Sequence, residues 1–258
     1  MTDVIDKPTT SPISTTRHGD VLIVTSNNPP VNALGAAVRQ GLVAAIEEAD
    51  KDEAVKAVVI RCEGQTFFAG ADISEFGKPM VMPMLPQVVD IIENCSKPVV
   101  AAIHGTALGG GLEVALATTM IFATPDATLG QPEMKLGVFA PAASCLLPHR
   151  VGQAAAEDLL FSGRTIGGAE AKAIGLVDVL ADDPAQAALA YFDAHLAPRS
   201  AAALAFAIQA VRAPLAASVA SRLADVERLY VNALMKTRDA NEGIAAFLAK
   251  RQPSWEHR

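Results

Sequence analysis

Hydrophobic and polar positions follow two periods in the first half of the chain. Short runs rich in valine and isoleucine, typical of buried strands, occur at 21–25, 55–61, 99–103 and 120–123. Apolar residues recur at helical spacing in three intervening segments, at 34–48, 85–94 and 112–117. Strands that alternate with helices predict an α/β fold with buried, largely parallel strands.

The last third of the chain has a different pattern. Helical periodicity dominates it, in segments 153–161, 168–174, 184–196, 201–211 and 216–235, with one strand-like piece at 176–180. A helical region of this size exceeds what is needed to cover a sheet, so it is predicted to make subunit contacts.

The chain is expected to divide into three parts. These are a mobile tail rich in Thr, Ser, Pro and Asp at 1–16, a core at 17–198 and a C-terminal helical region at 199–258.

Composition and charge exclude several classes of protein. The 258 residues are 51% hydrophobic and carry a formal net charge of −7, which disfavours binding to nucleic acid or to anionic membranes. Cys62, Cys95 and Cys145 are widely spaced in apolar surroundings, which indicates reduced core residues and no metal site. The chain opens without a signal-peptide pattern, and no apolar run approaches the roughly 20 residues of a membrane span. A soluble, cytoplasmic protein is expected.

The most informative motif is Gly-Thr-Ala-Leu-Gly-Gly-Gly-Leu-Glu at 105–113, directly after the apolar run that ends at 103. Glycines let the main chain approach a ligand closely, and a helix N-terminus favours developing negative charge. The motif therefore predicts backbone N–H groups that bind a substrate carbonyl beside the carboxylate of Glu113. Taken alone, it fits an ordinary strand–turn–helix junction equally well.

Two further segments complete an ordered set, namely Phe-Phe-Ala-Gly-Ala-Asp-Ile at 67–73 and Leu-Gly-Gln-Pro-Glu at 129–133. With the motif at 105–113, this set resembles the crotonase (enoyl-CoA hydratase/isomerase) superfamily over residues 21–250. The resemblance implies a spiral of repeated ββα turns followed by a C-terminal helical region. It also implies assembly into homotrimers, which often pair into hexamers.

The resemblance assigns roles to individual residues. The backbone N–H groups of Ala71 and Gly110 would form the oxyanion hole, and Glu113 and Glu133 would be the catalytic carboxylates that hold a water molecule. The substrate would be an acyl-CoA thioester, so coenzyme A would be part of the substrate and no separate cofactor or metal is implied. Residues that would contact the CoA portion are Ala33, Ala69, Asp72, Ile73, Phe247 and Lys250, the last pairing with phosphate charge near the adenosine end.

One segment departs from the common pattern of the superfamily. After residues 135–137, a glycine-free stretch that includes a loop at 139–145 stands where common hydratases have a glycine-rich loop. Residues 130–163 and the ending at 255–258 are similar to cyclohexa-1,5-dienecarbonyl-CoA hydratases. Alanines in this loop would narrow the acyl pocket, which favours a short or cyclic acyl group over a long chain.

The leading hypothesis is an enoyl-CoA hydratase that acts on a conjugated acyl thioester, with a cyclic dienoyl-CoA as one candidate substrate. A double-bond isomerase of the same superfamily is the first alternative, since such enzymes can work with only the carboxylate that matches Glu133. The presence of Glu113 favours water addition. A non-enzymatic relative that binds acyl-CoA or RNA is the second alternative, which the retained carboxylates and the acidic composition disfavour.

Overall fold

The structure, a computed structural model, describes residues 11–75 and 78–258. Its strands are β1 (Ile13–His18), β2 (Val21–Ser26), β3 (Ala57–Cys62), β4 (Val99–Ile103), β5 (Thr106–Leu108), β6 (Met120–Ala123), β7 (Thr128–Gly130), β8 (Thr165–Gly167) and β9 (Val179–Leu180). Its helices are α1 (Ala36–Lys51), α2 (Leu85–Glu93), α3 (Gly110–Ala117), α4 (Pro141–Val151), α5 (Gln153–Ser162), α6 (Gly168–Ala173), α7 (Pro184–Tyr191), α8 (Ala201–Asn232) and α9 (Arg238–Leu248).

A six-stranded sheet forms the centre of the fold, in the order β1-β2-β3-β4-β6-β9. Strand β1 runs antiparallel to β2, and the remaining neighbours are parallel. Every residue of β4 is buried, as expected for a central parallel strand covered on both faces. The α/β class with largely parallel buried strands, predicted from the alternating pattern, is confirmed.

A second, three-stranded sheet has the order β5-β7-β8. Each of its strands has three residues, too few to establish a period of two in the sequence, and this sheet was not predicted. The sheet joins two of the sequence motifs, because the N–H of Gly109 donates to the carbonyl of Gly130 over 3.0 Å.

The predicted mobile tail is wrong at its C-terminal end. Residues 13–16 belong to β1, which pairs along its whole length with β2. Only Ile13 of this strand is buried and its other residues are exposed, so the sequence shows no apolar alternation there. Residues 1–10 of the predicted tail lie outside the described residues.

The long C-terminal helix also differs from the prediction. Instead of two helices at 201–211 and 216–235, a single helix α8 continues through Pro214. The predicted boundary at 198/199 falls in the connection that precedes α8. Val219 and Leu223 of α8 are buried in the main hydrophobic core, so the helical region packs directly on the sheet domain.

Apolar side chains of α8 are widely exposed, and the largest exposed fractions are those of Phe206 (73%), Val211 (77%), Leu229 (58%) and Val231 (61%). In the part of the chain that the structure describes, Ala201–Lys236 is also the one helical stretch long and apolar enough to cross a membrane by length and composition alone. This corrects the expectation that no such stretch exists. The most apolar 18-residue window of this stretch has a mean hydropathy of 1.5, and only 17% of that window is buried.

Candidate active site

The first of the predicted backbone donors lies on a short ladder between two loops. The N–H of Leu34 donates to Gly70 O over 2.9 Å, and that of Ala69 donates to Val31 O over 3.2 Å. Leu34 and Ala71 form a parallel β-bridge. Gly70 has a φ of +119°, which only glycine adopts readily, so the turn that orients Ala71 depends on this residue.

The second donor lies at the first residue of α3. The helix begins at Gly110, two residues before the predicted start at 112, so the Gly110 N–H has no acceptor within the helix. A Cβ built on Gly110 would lie 3.7 Å from Ala71 N, which places the two donors side by side. A Cβ on Gly111 would lie 1.9 Å from Phe68 O, so the third glycine lets α3 press against the loop that carries Ala71.

Glu113 lies in the first turn of α3 and is 4% exposed. Its Oε1 accepts a hydrogen bond from Ala143 N over 2.8 Å. Burial raises the pKa of Glu113 to about 7, and the N–H groups of Ala143 and Ala142 oppose this rise. The carboxylate therefore caps the N-terminus of a second helix, which stabilises its ionised form.

That second helix corrects the loop predicted at 139–145, because α4 begins at Pro141. Pro141 could have predicted this start, since proline is favoured at the first position of a helix. Ala142 and Ala143 thus act through their N–H groups and not only through their methyl groups. Sequence reasoning missed these two donors.

Glu133 follows Pro132 in a 3-10 turn, Pro132–Leu136. Its Oε2 is fully enclosed and has no hydrogen-bond partner, and a Cβ on Gly109 would lie 2.4 Å from its Oε1. Burial raises the pKa of Glu133 to about 8, and the charge of Glu113 adds to the rise. The two carboxyl groups therefore differ, with Glu113 the more readily ionised and Glu133 the more readily protonated.

Tyr230 lies within range of the charges of Glu113 and Glu133 and belongs to an aromatic pair. The rings of Phe139 and Tyr230 meet edge to face with centroids 5.4 Å apart. Burial raises the pKa of the Tyr230 hydroxyl, and the charges of Glu133 and Glu113 raise it further. The sequence placed Tyr230 on an amphipathic helix face, and no motif marked it as a residue of this site.

The residues expected at the CoA portion fall into two groups. Ala33, Ala69 and Asp72 lie on or next to the ladder that carries Ala71, and a Cβ on Gly35 would lie 2.9 Å from Asp72 Oδ2. Phe247 and Lys250 lie at the C-terminal end of α9. That helix packs on the turn that carries Glu133, where a Cβ on Gly243 would lie 2.0 Å from Leu136 O. The side chain of Ile73 lies outside the described part of the structure.

The N–H donors of Ala71 and Gly110 thus lie beside the carboxyl groups of Glu113 and Glu133. This arrangement is suited to acid–base chemistry next to a polarised carbonyl. Comparison with known proteins agrees with this class. The enoyl-CoA hydratase/isomerase family profile matches residues 16–258. The chain therefore belongs to the enoyl-CoA hydratase/isomerase family.

Individual relatives refine this assignment. Cyclohexa-1,5-dienecarbonyl-CoA hydratase of Thauera aromatica is 46% identical over 245 residues, which cover 94% of this chain and 95% of the relative. A probable enoyl-CoA hydratase of Bacillus subtilis is 37% identical over 92% of this chain and 95% of its own length. The crystal structure of carnitinyl-CoA hydratase from Mycobacterium avium has a TM-score of 0.88 at 29% identity and covers 97% of this chain and 100% of its own.

These similarities support hydratase activity and a CoA thioester substrate for this enzyme. They also confirm the expected crotonase-like fold with its C-terminal helical region. The likeness to the dienecarbonyl-CoA hydratase was expected mainly in the C-terminal half, and that expectation was too narrow because it extends over the whole chain.

Proposed function

We propose that this enzyme adds water to a conjugated acyl-CoA thioester with a compact cyclic acyl group, and that cyclohexa-1,5-dienecarbonyl-CoA is the first candidate. The observation that carries the proposal is the arrangement of Glu113, which accepts from Ala143 N, and Glu133, whose Oε2 has no hydrogen-bond partner, beside the N–H groups of Ala71 and Gly110. The 46% identity to a hydratase named for this cyclic ester supports the choice of acyl group.

The thioester carbonyl oxygen binds between the N–H groups of Ala71 and Gly110. Attack on the conjugated system moves negative charge onto this oxygen, and the two donors stabilise it without having to reorient. The loss of one such donor typically raises the barrier by about 3–4 kcal/mol. The N-terminus of α3 adds a favourable dipole to the same position.

The carboxyl groups move the protons. Ionised Glu113 takes a proton from water while the water oxygen bonds to the β-carbon, and the displaced π electrons pass to the carbonyl oxygen. Protonated Glu133 then donates its proton to the α-carbon of a simple enoyl ester, or to the far end of the diene in a cyclic dienoyl ester. Proton exchange through solvent restores Glu113 to its ionised form and Glu133 to its protonated form.

The shape of the site supports a compact acyl group. The first turn of α4 contributes buried alanines beside Glu113, and Tyr230, which packs against Phe139, lies within range of the charges of both carboxyl groups. A rigid ring loses less conformational entropy in such a pocket than a long flexible chain does. The flat faces of a conjugated ring also suit contact with aromatic side chains.

The proposal extends to CoA binding and assembly. Ala33, Ala69, Asp72 and Ile73 line the CoA groove, and Phe247 and Lys250 bind the adenosine end. The exposed apolar face of α8 packs against a second copy of the chain in a homotrimer or a dimer of trimers, so it serves as a subunit contact and not as a membrane span. The enzyme works in the cytoplasm without a metal or a separate cofactor, and without nucleic acid.

The decisive experiment compares crotonyl-CoA with cyclohexa-1,5-dienecarbonyl-CoA in parallel assays. We expect loss of the conjugated-thioester absorbance with both esters, faster with the cyclic one, and a product heavier by one water molecule in mass spectrometry. The exposed variant Glu47→Gln serves as a control that should keep full activity. A product of unchanged mass would assign an isomerase instead, and no reaction with either ester would refute the proposal.

Assembly is tested separately by light scattering at micromolar concentration. A trimer has about three times the 26.8 kDa mass of one chain. A monomer mass would contradict the proposed contact through α8.

A further inference from the structure

Arg39 is a buried arginine that no sequence motif marked. It lies in α1, is 5% exposed, and directs its guanidinium group toward the loops around Ala71. Arginine is rarely buried unless its donors are satisfied. Here each guanidinium nitrogen has at least one acceptor, at 2.6–2.9 Å.

The first acceptor belongs to the oxyanion ladder. Arg39 Nη1 donates to Leu34 O over 2.6 Å. The N–H of the same Leu34 donates to Gly70 O over 2.9 Å, and Leu34 forms the β-bridge with Ala71. Arg39 therefore fixes the residue against which the Ala71 donor is aligned.

Two other acceptors belong to a strap, defined as residues 80–84, which leads into α2. Arg39 Nη2 donates to Val81 O over 2.9 Å, and its Nε donates to Pro83 O over 2.6 Å. Gln40, the next residue of α1, donates to Met82 O over 3.0 Å. Three consecutive carbonyl groups of the strap are thus held by two adjacent side chains.

The strap matters because Leu85 follows it directly. A Cβ on Gly110 would lie 3.0 Å from Leu85 Cδ2, so Leu85 lies against the second oxyanion donor. The first three residues of the strap are apolar and exposed, with Met80 at 80% and Met82 at 57%, so burial contributes little to holding them in place. Its position therefore depends on the hydrogen bonds from α1.

Glu75 completes the arrangement and balances the buried charge. Its Oε2 accepts from Arg39 Nη1 over 2.8 Å, and its Oε1 accepts from Ala36 N, at the start of α1, over 2.6 Å. The planar guanidinium group supplies up to five donors in a rigid fork, which an ammonium group cannot reproduce.

We propose that Arg39 is a positioning residue that sets the alignment of the two oxyanion donors, by fixing Leu34 behind Ala71 and the strap that places Leu85 against Gly110. This inference rests on the proposed function, since it assumes that Ala71 and Gly110 bind the thioester carbonyl. Arg39 itself contacts neither the substrate nor the reacting atoms and acts through Leu34 and the strap.

The test measures carbonyl polarisation directly. Hydrogen bonds to the carbonyl of an aryl-conjugated acyl-CoA draw electron density along the conjugated system and shift its absorption band to longer wavelength. We would record this band for a bound cinnamoyl-CoA in the Glu133→Gln background, where hydration is suppressed, with Arg39 intact and as Arg39→Met. We expect Arg39→Met to lose most of the shift while the ester still binds. In the chain with Glu133 intact, kcat should fall about 10- to 100-fold with little change in KM, the size expected for a small misplacement of catalytic groups.

Two matched variants separate positioning from general destabilisation. Arg150→Met removes another largely buried arginine, which pairs with Asp178 and donates to Leu176 O, and it should keep the shift. Gln40→Ala releases one strap carbonyl without touching Leu34 and should also keep most of the shift.

The absorption shifts of Arg39→Met and Arg150→Met decide whether Arg39 positions the oxyanion donors. If Arg39→Met keeps the full shift, or if Arg150→Met loses as much of it, the inference is wrong. Should Arg39→Met fail to fold, Arg39→Lys replaces it, for which we expect a roughly threefold to tenfold loss of kcat, and an unchanged kcat would overturn the inference. If the chain with Arg39 intact shows neither a shift nor hydration of any enoyl-CoA, the proposed function fails first.

Discussion

Replacing either Glu113 or Glu133 with glutamine should make the protein more stable at alkaline pH. Burial raises the pKa of Glu113 from 4.5 to about 7 and that of Glu133 from 4.5 to about 8. A raised pKa in the folded state means that folding favours the protonated group. The stabilisation is fully present below pH 4.5 and is lost as the pH rises through 7 and 8.

The magnitude follows from these shifts. Each pH unit between the unfolded and folded pKa corresponds to 1.36 kcal/mol, so ionisation of Glu113 reduces the free energy of unfolding by about 3 kcal/mol and that of Glu133 by about 5 kcal/mol at most. Glutamine has nearly the shape of a protonated glutamate and remains neutral. Its oxygen can still accept the hydrogen bond from Ala143 at position 113.

The assay is urea unfolding at one fixed protein concentration, at pH 5 and at pH 9, for the unsubstituted chain and for Glu113→Gln and Glu133→Gln. The variants should match the unsubstituted chain at pH 5 and exceed it by roughly 2–5 kcal/mol at pH 9. Glu47→Gln, at an exposed position of α1, should show no gain at either pH.

The double variant gives a further check. Since the charge of Glu113 contributes to the raised pKa of Glu133, the double variant should gain less than the sum of the two single variants. A gain of equal size at both pH values, or variants that are less stable at pH 9, would refute the reasoning that these carboxyl groups are ionised at the expense of stability.

Three further predictions concern catalysis. Glu113→Gln and Glu133→Gln should each lower kcat by about 10²–10⁴-fold in steady-state assays while CoA-ester binding stays nearly intact, and near-normal turnover in either variant would contradict the hydratase site. Gly109→Ala should lower kcat by about 10- to 100-fold because its methyl group would lie 2.4 Å from Glu133 Oε1, whereas Gly19→Ala, with a similar positive φ (+56° against +53°) but nothing within 4 Å, should retain kcat. The kcat/KM for a short or cyclic conjugated acyl-CoA should exceed that for a long straight-chain enoyl-CoA by roughly tens- to hundreds-fold, and a steady rise from four to ten acyl carbons would exclude this preference.

Much of the fold could be predicted from the sequence because its signals are local. Strand β4 lies at the predicted 99–103, since a continuous run of buried β-branched and small residues has no other stable placement. The short strands of the second sheet and the polar strand β1 were missed, because their stability comes from pairing partners far along the chain. The start of α4 at Pro141 was the one miss with a local signal.

The candidate site, like the fold, could be predicted from the sequence only in part. The glycines at 70 and 109–111 and the two glutamates were identifiable because backbone conformation and a carboxyl group are properties of single residues in a motif. Which of the two glutamates keeps its proton could not be derived from the motif. Both residues are glutamates in the sequence, and only the fold gives Glu113 the N–H groups of α4 and leaves Oε2 of Glu133 without a hydrogen-bond partner.

The sequence by itself thus determined the fold class and predicted the backbone donors and the acid–base groups, since periodicity and glycine placement act over a few residues. The tertiary structure alone decided which of Glu113 and Glu133 is the more readily ionised, the packing of Tyr230 against Phe139 and the burial of Arg39. Burial and contacts between residues 30 to 91 positions apart in the sequence set those properties, and no local pattern encodes them.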